Sequence, residues 1–222
     1  EAFSAGLVEH LLSRLHINNG TVLDPFSGSG TALFAAGGLG LKAEGIELLP
    51  IGQVVIATKQ LIDWELKDED VKRLVFWTDQ RPWEKSKTAR SINELRITRG
   101  AYPAETLEAM GRFLEAAEQE ERRVKAVLLF SLLCILESIS YTRKDGQYLR
   151  WDYRAGRRRG KEMFDKGEIL SFNNAITKKL HEIVSDLSST DYPEDLFATA
   201  RSKAEINLYG GSCLNMLPKL KT

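Results

Sequence analysis

With 222 residues the chain is long enough to bury a core of its own, and its 31 lysines and arginines balance its 31 aspartates and glutamates, so a polyanion-binding surface does not follow from net charge and must be sought locally. Its two cysteines, Cys134 and Cys213, lie far apart and without metal-ligand spacing, which argues against a disulfide framework and leads us to expect a reducing, cytoplasmic setting. The longest apolar run, Ala126 to Leu136, is too short to cross a bilayer; it reads as a buried helix with Cys134 as one of its small apolar residues, and no membrane partner is expected.

From Glu1 to Ile17 apolar residues recur at helical spacing (Leu7, Val8, Leu11, Leu12, Leu15), and Asn18, Asn19 and Gly20 end the helix. "TVLD" then reads as a short strand broken at Pro25, and "TALFAAGGLG" as a helix closed by glycines. "KAEGIEL" is a second strand. "IGQVVIATKQLIDWEL" is a second helix, with Ile51, Val54, Val55, Thr58 and Leu61 on one face. Strand, helix, strand, helix over Thr21 to Leu66 predicts adjacent parallel strands, the beginning of a doubly wound α/β sheet.

After Lys67 charged and polar residues dominate as far as Glu105, with Trp77 and Trp83 flanking "TDQRP" as a loop packed onto the core. Three helical patterns follow: "AETLEAMGRFLEAAEQEE", a stretch within Arg122 to Ser140, and "EILSFNNAITKKLHEIVSDLSS". The chain therefore divides into residues 1–66, a mostly helical insertion over 67–199, and a return to the sheet over 200–222 at "AEINLYGGS". It opens on glutamate and closes on a strand, a turn and a short helix, so a piece of a longer protein is expected.

The loop "LDPFSGSGT", Leu23 to Thr31, admits three readings. A phosphate-cradling loop needs lysine after the last glycine, where Thr31 stands, and the dinucleotide fingerprint needs a third glycine where Leu33 stands. The third reading is a site for S-adenosylmethionine, whose cationic amino-acid end and ribose ask for close backbone and two acids. Gly28 and Gly30 permit the approach, Asp24 ends the first strand towards the ammonium, and Glu47 ends the second towards the ribose hydroxyls. The bland alternative is a tight turn that merely uses glycines, with Glu47 a solvated strand-end acid.

"LDPFSGSGT" resembles the cofactor motif of S-adenosylmethionine-dependent DNA methyltransferases that act on exocyclic amino groups, making N6-methyladenine or N4-methylcytosine. "GIELLP" is similar to the family's next motif, and "AFSAGLVEHLL" to the helix that closes over the methionine end. The resemblance implies a Rossmann-like methyltransferase sheet, incomplete in this chain, and cofactor contacts from Phe3, Ser4, Asp24, Pro25, Phe26, Gly28, Ser29, Gly30, Thr31, Glu47 and Leu48. "NLYGGSCLNML" looks like the stretch whose Gly-Asp pair contacts adenine, here Gly211-Ser212, which assigns Ser212 to the same set. The family's catalytic Pro-Pro-aromatic motif has no counterpart in these residues, so no catalytic residue is assigned and a further segment or a partner chain is expected to carry it. "ISYTRKDGQYLRWD" looks like an element of some large members with an insertion here.

"SYTRKDGQYLRWDYRAGRRRGK" is the strongest local basic excess. Arg143, Lys144, Arg150, Arg154, Arg157, Arg158, Arg159 and Lys161 alternate with Tyr141, Tyr148, Trp151 and Tyr153, against Asp145 and Asp152 alone. It reads either as a phosphate-contacting loop or hairpin with stacking aromatics, hence a DNA partner, or as a solvated connector whose arginines pair with the acidic "EAAEQEE" face. His10, His16 and His181 lack ligand spacing, and no metal is expected. Three functions stay open: a DNA amino-methyltransferase of a restriction-modification system, a guanine-N2 tRNA methyltransferase with a similar loop, and a non-catalytic subunit that binds cofactor or DNA.

Overall fold

The computed structural model describes residues 4–146, 148–157, 163–188 and 205–220. Two compact units emerge: Glu1–Glu65 with Ser189–Thr222, and Leu66–Ser188. Phe3, Arg158, Arg159 and Lys161 lie outside the described residues.

In the first unit α1 (Ala5–Arg14) is capped by Ser4, whose hydroxyl accepts from the Leu7 amide, and is followed by β1 (Thr21–Asp24) and α2 (Thr31–Gly38). Then come β2 (Lys42–Glu47) and α3 (Pro50–Trp64), which starts on a proline whose missing N–H costs nothing in a first turn. β2 is central, parallel to β1 on one side and to the late strand β5 (Ile206–Gly210) on the other, with Asp24 opposite Gly45 and Gly210 opposite Glu47. The unit is thus mixed α/β, and all three strands end at one edge. Leu33, Ala36, Leu41, Ala43, Ile56 and Ile206 form its core, with Leu12, Val22 and Trp64 packed against them.

Two predicted faces shift. On α1 only Val8 and Leu12 turn inward, while Leu7, Leu11 and Leu15 stay exposed. On α3 the buried positions are Ile56, Thr58 and Leu61, while Ile51 and Val54 at the start of the helix are exposed.

The second unit contains α4 (Asp68–Gln80), α5 (Ala104–Ala117), α6 (Arg122–Ile135), the antiparallel hairpin β3 (Thr142–Asp145) and β4 (Tyr148–Trp151), and α7 (Phe172–Ser188). α4 falls where the sequence shows only a charged tract. Most of its charged residues are exposed, while Asp70, Leu74, Trp77 and Thr78 recur at helical spacing and are buried, and a capping box joins the Lys67 amide to the Asp70 carboxylate. Trp77 therefore sits on a helix, and Trp83 on the 3₁₀ turn that follows; the two stack with ring centres 5.7 Å apart and meet Phe113 edge-on. Cys134, expected inside, is exposed, because α6 turns Ser131, Leu132 and Ile135 to the core and leaves position 134 on the outer face. Among the described residues no helix is long and apolar enough to cross a membrane, and no cluster of three metal-ligating side chains occurs.

Candidate functional site

The sharp bend after β1 is built from the strand end outward. The Asp24 carboxylate accepts from the Phe26 amide at 3.0 Å, and the Ser27 hydroxyl donates to the Asp24 carbonyl at 3.0 Å, so the chain turns within three residues. The Ser27 amide donates to the Ile46 carbonyl, tying the turn to β2. Gly28 (φ +52°) and Gly30 (φ +82°) then take left-handed conformations, and Gly30 caps α2. A Cβ on Gly30 would press on Ile56 and Phe34 at about 3 Å, whereas one on Gly28 would meet only the Phe26 carbonyl, at 4.0 Å.

Glu47 is the hub. It is only 7% exposed, and its two oxygens accept separately from the Gly28 amide and the Leu49 amide, each at 2.7 Å. Its carbonyl accepts from the Gln53 side chain at 2.9 Å and from the Gly211 amide at 3.0 Å. Glu47 is therefore not a solvated strand-end acid but the link that joins the glycine loop, the start of α3 and the end of β5. A carboxylate offers about four acceptor positions, so two of its lone-pair sites are left for a further donor.

Of the expected cofactor residues, Asp24, Pro25, Phe26, Gly28, Ser29, Gly30 and Thr31 form this bend, Glu47 reaches it from the end of β2 with Leu48 next in the chain, and Ser212 follows Gly211 after the end of β5. Phe26 and Leu48 are largely exposed, at 77% and 62%. Ser4 caps α1 through the Leu7 amide, and among the described residues no hydrogen bond joins it to the loop.

Lys59 escaped the sequence reading. From α3 its ammonium donates to the Ser29 carbonyl at 2.9 Å and lies 5.4 Å from the centre of the Phe34 ring. Burial lowers its pKa, and nearby Asp63 opposes that shift. Only its place two turns into α3, seven residues after the helix's glycine, hinted at this role.

In the second unit the described residues of the basic stretch form the hairpin and the turn after it. Arg154 is engaged: its guanidinium grips the fully buried Asp152 at 2.6 and 2.9 Å and also donates to the Gly167 carbonyl. The Arg154 ion pair and the Lys166 amide hold the Asp152 carboxyl well below the usual carboxylate range. Arg157 donates to the carbonyls of Arg96 and Ile97 and lies over the Trp151 ring. Arg143, Lys144 and Arg150 are exposed on the hairpin. The expected pairing with the acidic "EAAEQEE" face does not occur among the described residues: Glu118 pairs with Lys125 and Arg90, and Glu120 with Arg73.

The chain is 48% identical over its whole length to the Type II methyltransferase M.AvaI of Nostoc sp., covering 46% of that protein, and equally to M.AvaI of Anabaena variabilis. It is 34% identical to the Type II methyltransferase M.BsoBI of Geobacillus stearothermophilus, over 99% of this chain and 45% of that one. No family model and no solved structure matches. The chain is thus homologous from end to end to Type II methyltransferases, and it spans a little under half the length of those it matches.

Proposed function

We propose that this chain is the S-adenosylmethionine-binding and DNA-contacting part of a DNA methyltransferase that modifies an exocyclic amino group of adenine or cytosine. The observation that carries the reading is the junction of the Glu47 carboxylate with the Gly28 amide at the carboxyl edge of a parallel sheet, the place where open α/β sheets bind ligands. In this reading the three strands are one part of a Rossmann-like doubly wound sheet, residues 1–66 and 200–222 hold the cofactor, and residues 67–199 meet DNA. A cytoplasmic restriction-modification setting goes with it. End-to-end similarity to Type II methyltransferases supports DNA over tRNA as the substrate.

The residues fit the cofactor. The space at Gly28, the spare acceptor sites on Glu47 and the left-handed backbone at Gly28 and Gly30 match an amino-acid end lying on the loop and a ribose held from the side. Asp24 supplies negative charge for the ammonium; Glu47 accepts from the ribose hydroxyls while it keeps Gly28 in place; Phe26 and Leu48 cover the apolar faces. The bound sulfonium supplies the methyl group. An exocyclic amine needs its hydrogens accepted and its nitrogen aligned before it attacks. We assign that task to a Pro-Pro-aromatic motif beyond these residues, in a further segment or a partner chain.

Calorimetric titration with S-adenosylmethionine tests the site: Asp24→Ala should weaken binding at least tenfold and His10→Ala should not. Equal effects would discredit the loop assignment. Tritium transfer from labelled cofactor, by a protein that includes the missing motif, should reach duplex DNA; transfer to tRNA alone would sink the DNA reading.

A further inference from the structure

The hairpin places two like charges where electrostatics alone would separate them. Arg143 and Arg150 are directly opposite in the antiparallel register of β3 and β4, an arrangement that costs stability unless something offsets the repulsion. Both guanidiniums lie over one ring, that of Phe164, at 4.5 Å for Arg150 and 5.8 Å for Arg143. The local counter-charge is slight. Asp145 sits 3.4 Å from Arg150, and both side chains are about half exposed, while Arg143 has a 3.5 Å contact with the Lys166 carbonyl. The hairpin's base, by contrast, is rigid: Thr142 and Trp151 are buried, the Tyr141 amide donates to the Ala101 carbonyl, and Asp152 is locked by Arg154 and the Lys166 amide. The ammonium of Lys166 in turn binds the carbonyls of Glu137 and Ser140. Two exposed cations held side by side on an aromatic platform, above a fixed base, are preorganised for an oxyanion.

We propose that Arg143 and Arg150 clamp a single phosphodiester of DNA, with Phe164 as their platform, while Arg154 and Arg157 serve the hairpin's structure. This rests on the DNA reading above and sharpens it, for it selects one pair from the whole basic stretch. Since the slope of log affinity against log salt counts phosphates neutralised, at about 0.9 for each, removing both arginines should flatten it by about one contact and not two.

The whole 222-residue chain is titrated against a short mixed-sequence DNA duplex by fluorescence anisotropy over a series of salt concentrations. Arg143→Gln with Arg150→Gln is expected to flatten the slope by about 0.9 and to lower affinity about tenfold at low salt; exposed Lys72→Gln should leave both unchanged. The charge-conserving pair Arg143→Lys with Arg150→Lys should keep the slope and lose a few-fold in affinity, because lysine cannot present a planar fork. Phe164→Leu should act like the lysine pair. DNA binding with an unchanged slope in the glutamine pair, or with unchanged affinity in the lysine pair, overturns the clamp alone. Failure of the unaltered chain to bind DNA overturns the DNA reading with it. Stronger binding of an RNA duplex of the same sequence, lost in the same variants, overturns the choice of DNA.

Discussion

Two buried carboxylates, one in each unit, show how differently the same group can be used. Asp152 is fully buried and saturated: its oxygens accept from the amides of Arg154 and Lys166 and from two nitrogens of the Arg154 guanidinium. Glu47 is almost as buried, yet it accepts from two amides and no cation, and half of its acceptor capacity is unspent. A saturated, ion-paired acid fixes a loop; a half-used one beside a glycine bend can fix a loop and bind a ligand at once. In the proposed function, acceptor capacity, more than burial, separates the acid with a structural task from the one with a binding task.

Removing the saturated acid should have the largest effect. Asp152→Ala strands the Lys166 amide and an arginine, and is expected to cost about 3 kcal/mol in urea unfolding with cofactor affinity unchanged. The pH dependence has a definite sign. The folded-state pKa of Asp152 lies below its unfolded value, so its stabilisation is complete above the ordinary aspartate range near pH 4 and fades as pH falls through the folded value. The stability gap between the unaltered chain and Asp152→Asn should therefore be widest at neutral pH and should close on acidification; a constant gap would break the contrast.

Glu47 should show the opposite division. Glu47→Gln keeps an acceptor for one amide but turns its NH2 on the other, so stability should fall by about 1–2 kcal/mol while affinity for S-adenosylmethionine drops about tenfold or more by calorimetry. A variant that lost stability and kept affinity would place Glu47 with Asp152. Lys59→Met comes next, with a few-fold loss of affinity as the Ser29 carbonyl is released, recovered in Lys59→Arg. Smallest of all, Cys134→Ser should shift stability by less than about 0.5 kcal/mol, since the side chain is exposed; a larger loss would restore the buried role expected of it.

What could be read in advance followed from local chemistry. The bend at Asp24 to Thr31, the parallel pair β1 and β2 and the three helices α5, α6 and α7 each announce themselves by glycines, alternation or apolar spacing. α4 was missed because nearly half of its residues are charged, and a helix that buries a narrow stripe of Asp70, Leu74, Trp77 and Thr78 looks like a solvated tract until its period is traced. The basic stretch was visible as a charge excess, but not as a mixture of bonded and exposed arginines.

The sequence by itself determined where the backbone must bend: Gly28 and Gly30 are the residues that tolerate left-handed conformations there, and that demand is met within a few positions. Only the tertiary structure decided what each charge is for. Glu47 meets Gly28 nineteen positions away, Lys59 reaches Ser29 across thirty, and Arg143 and Arg150 share a ring contributed by Phe164 from beyond the hairpin. Hydrogen bonds and ion pairs depend on ångström-scale distances between remote segments, and no local pattern encodes those distances until the core has brought the segments together.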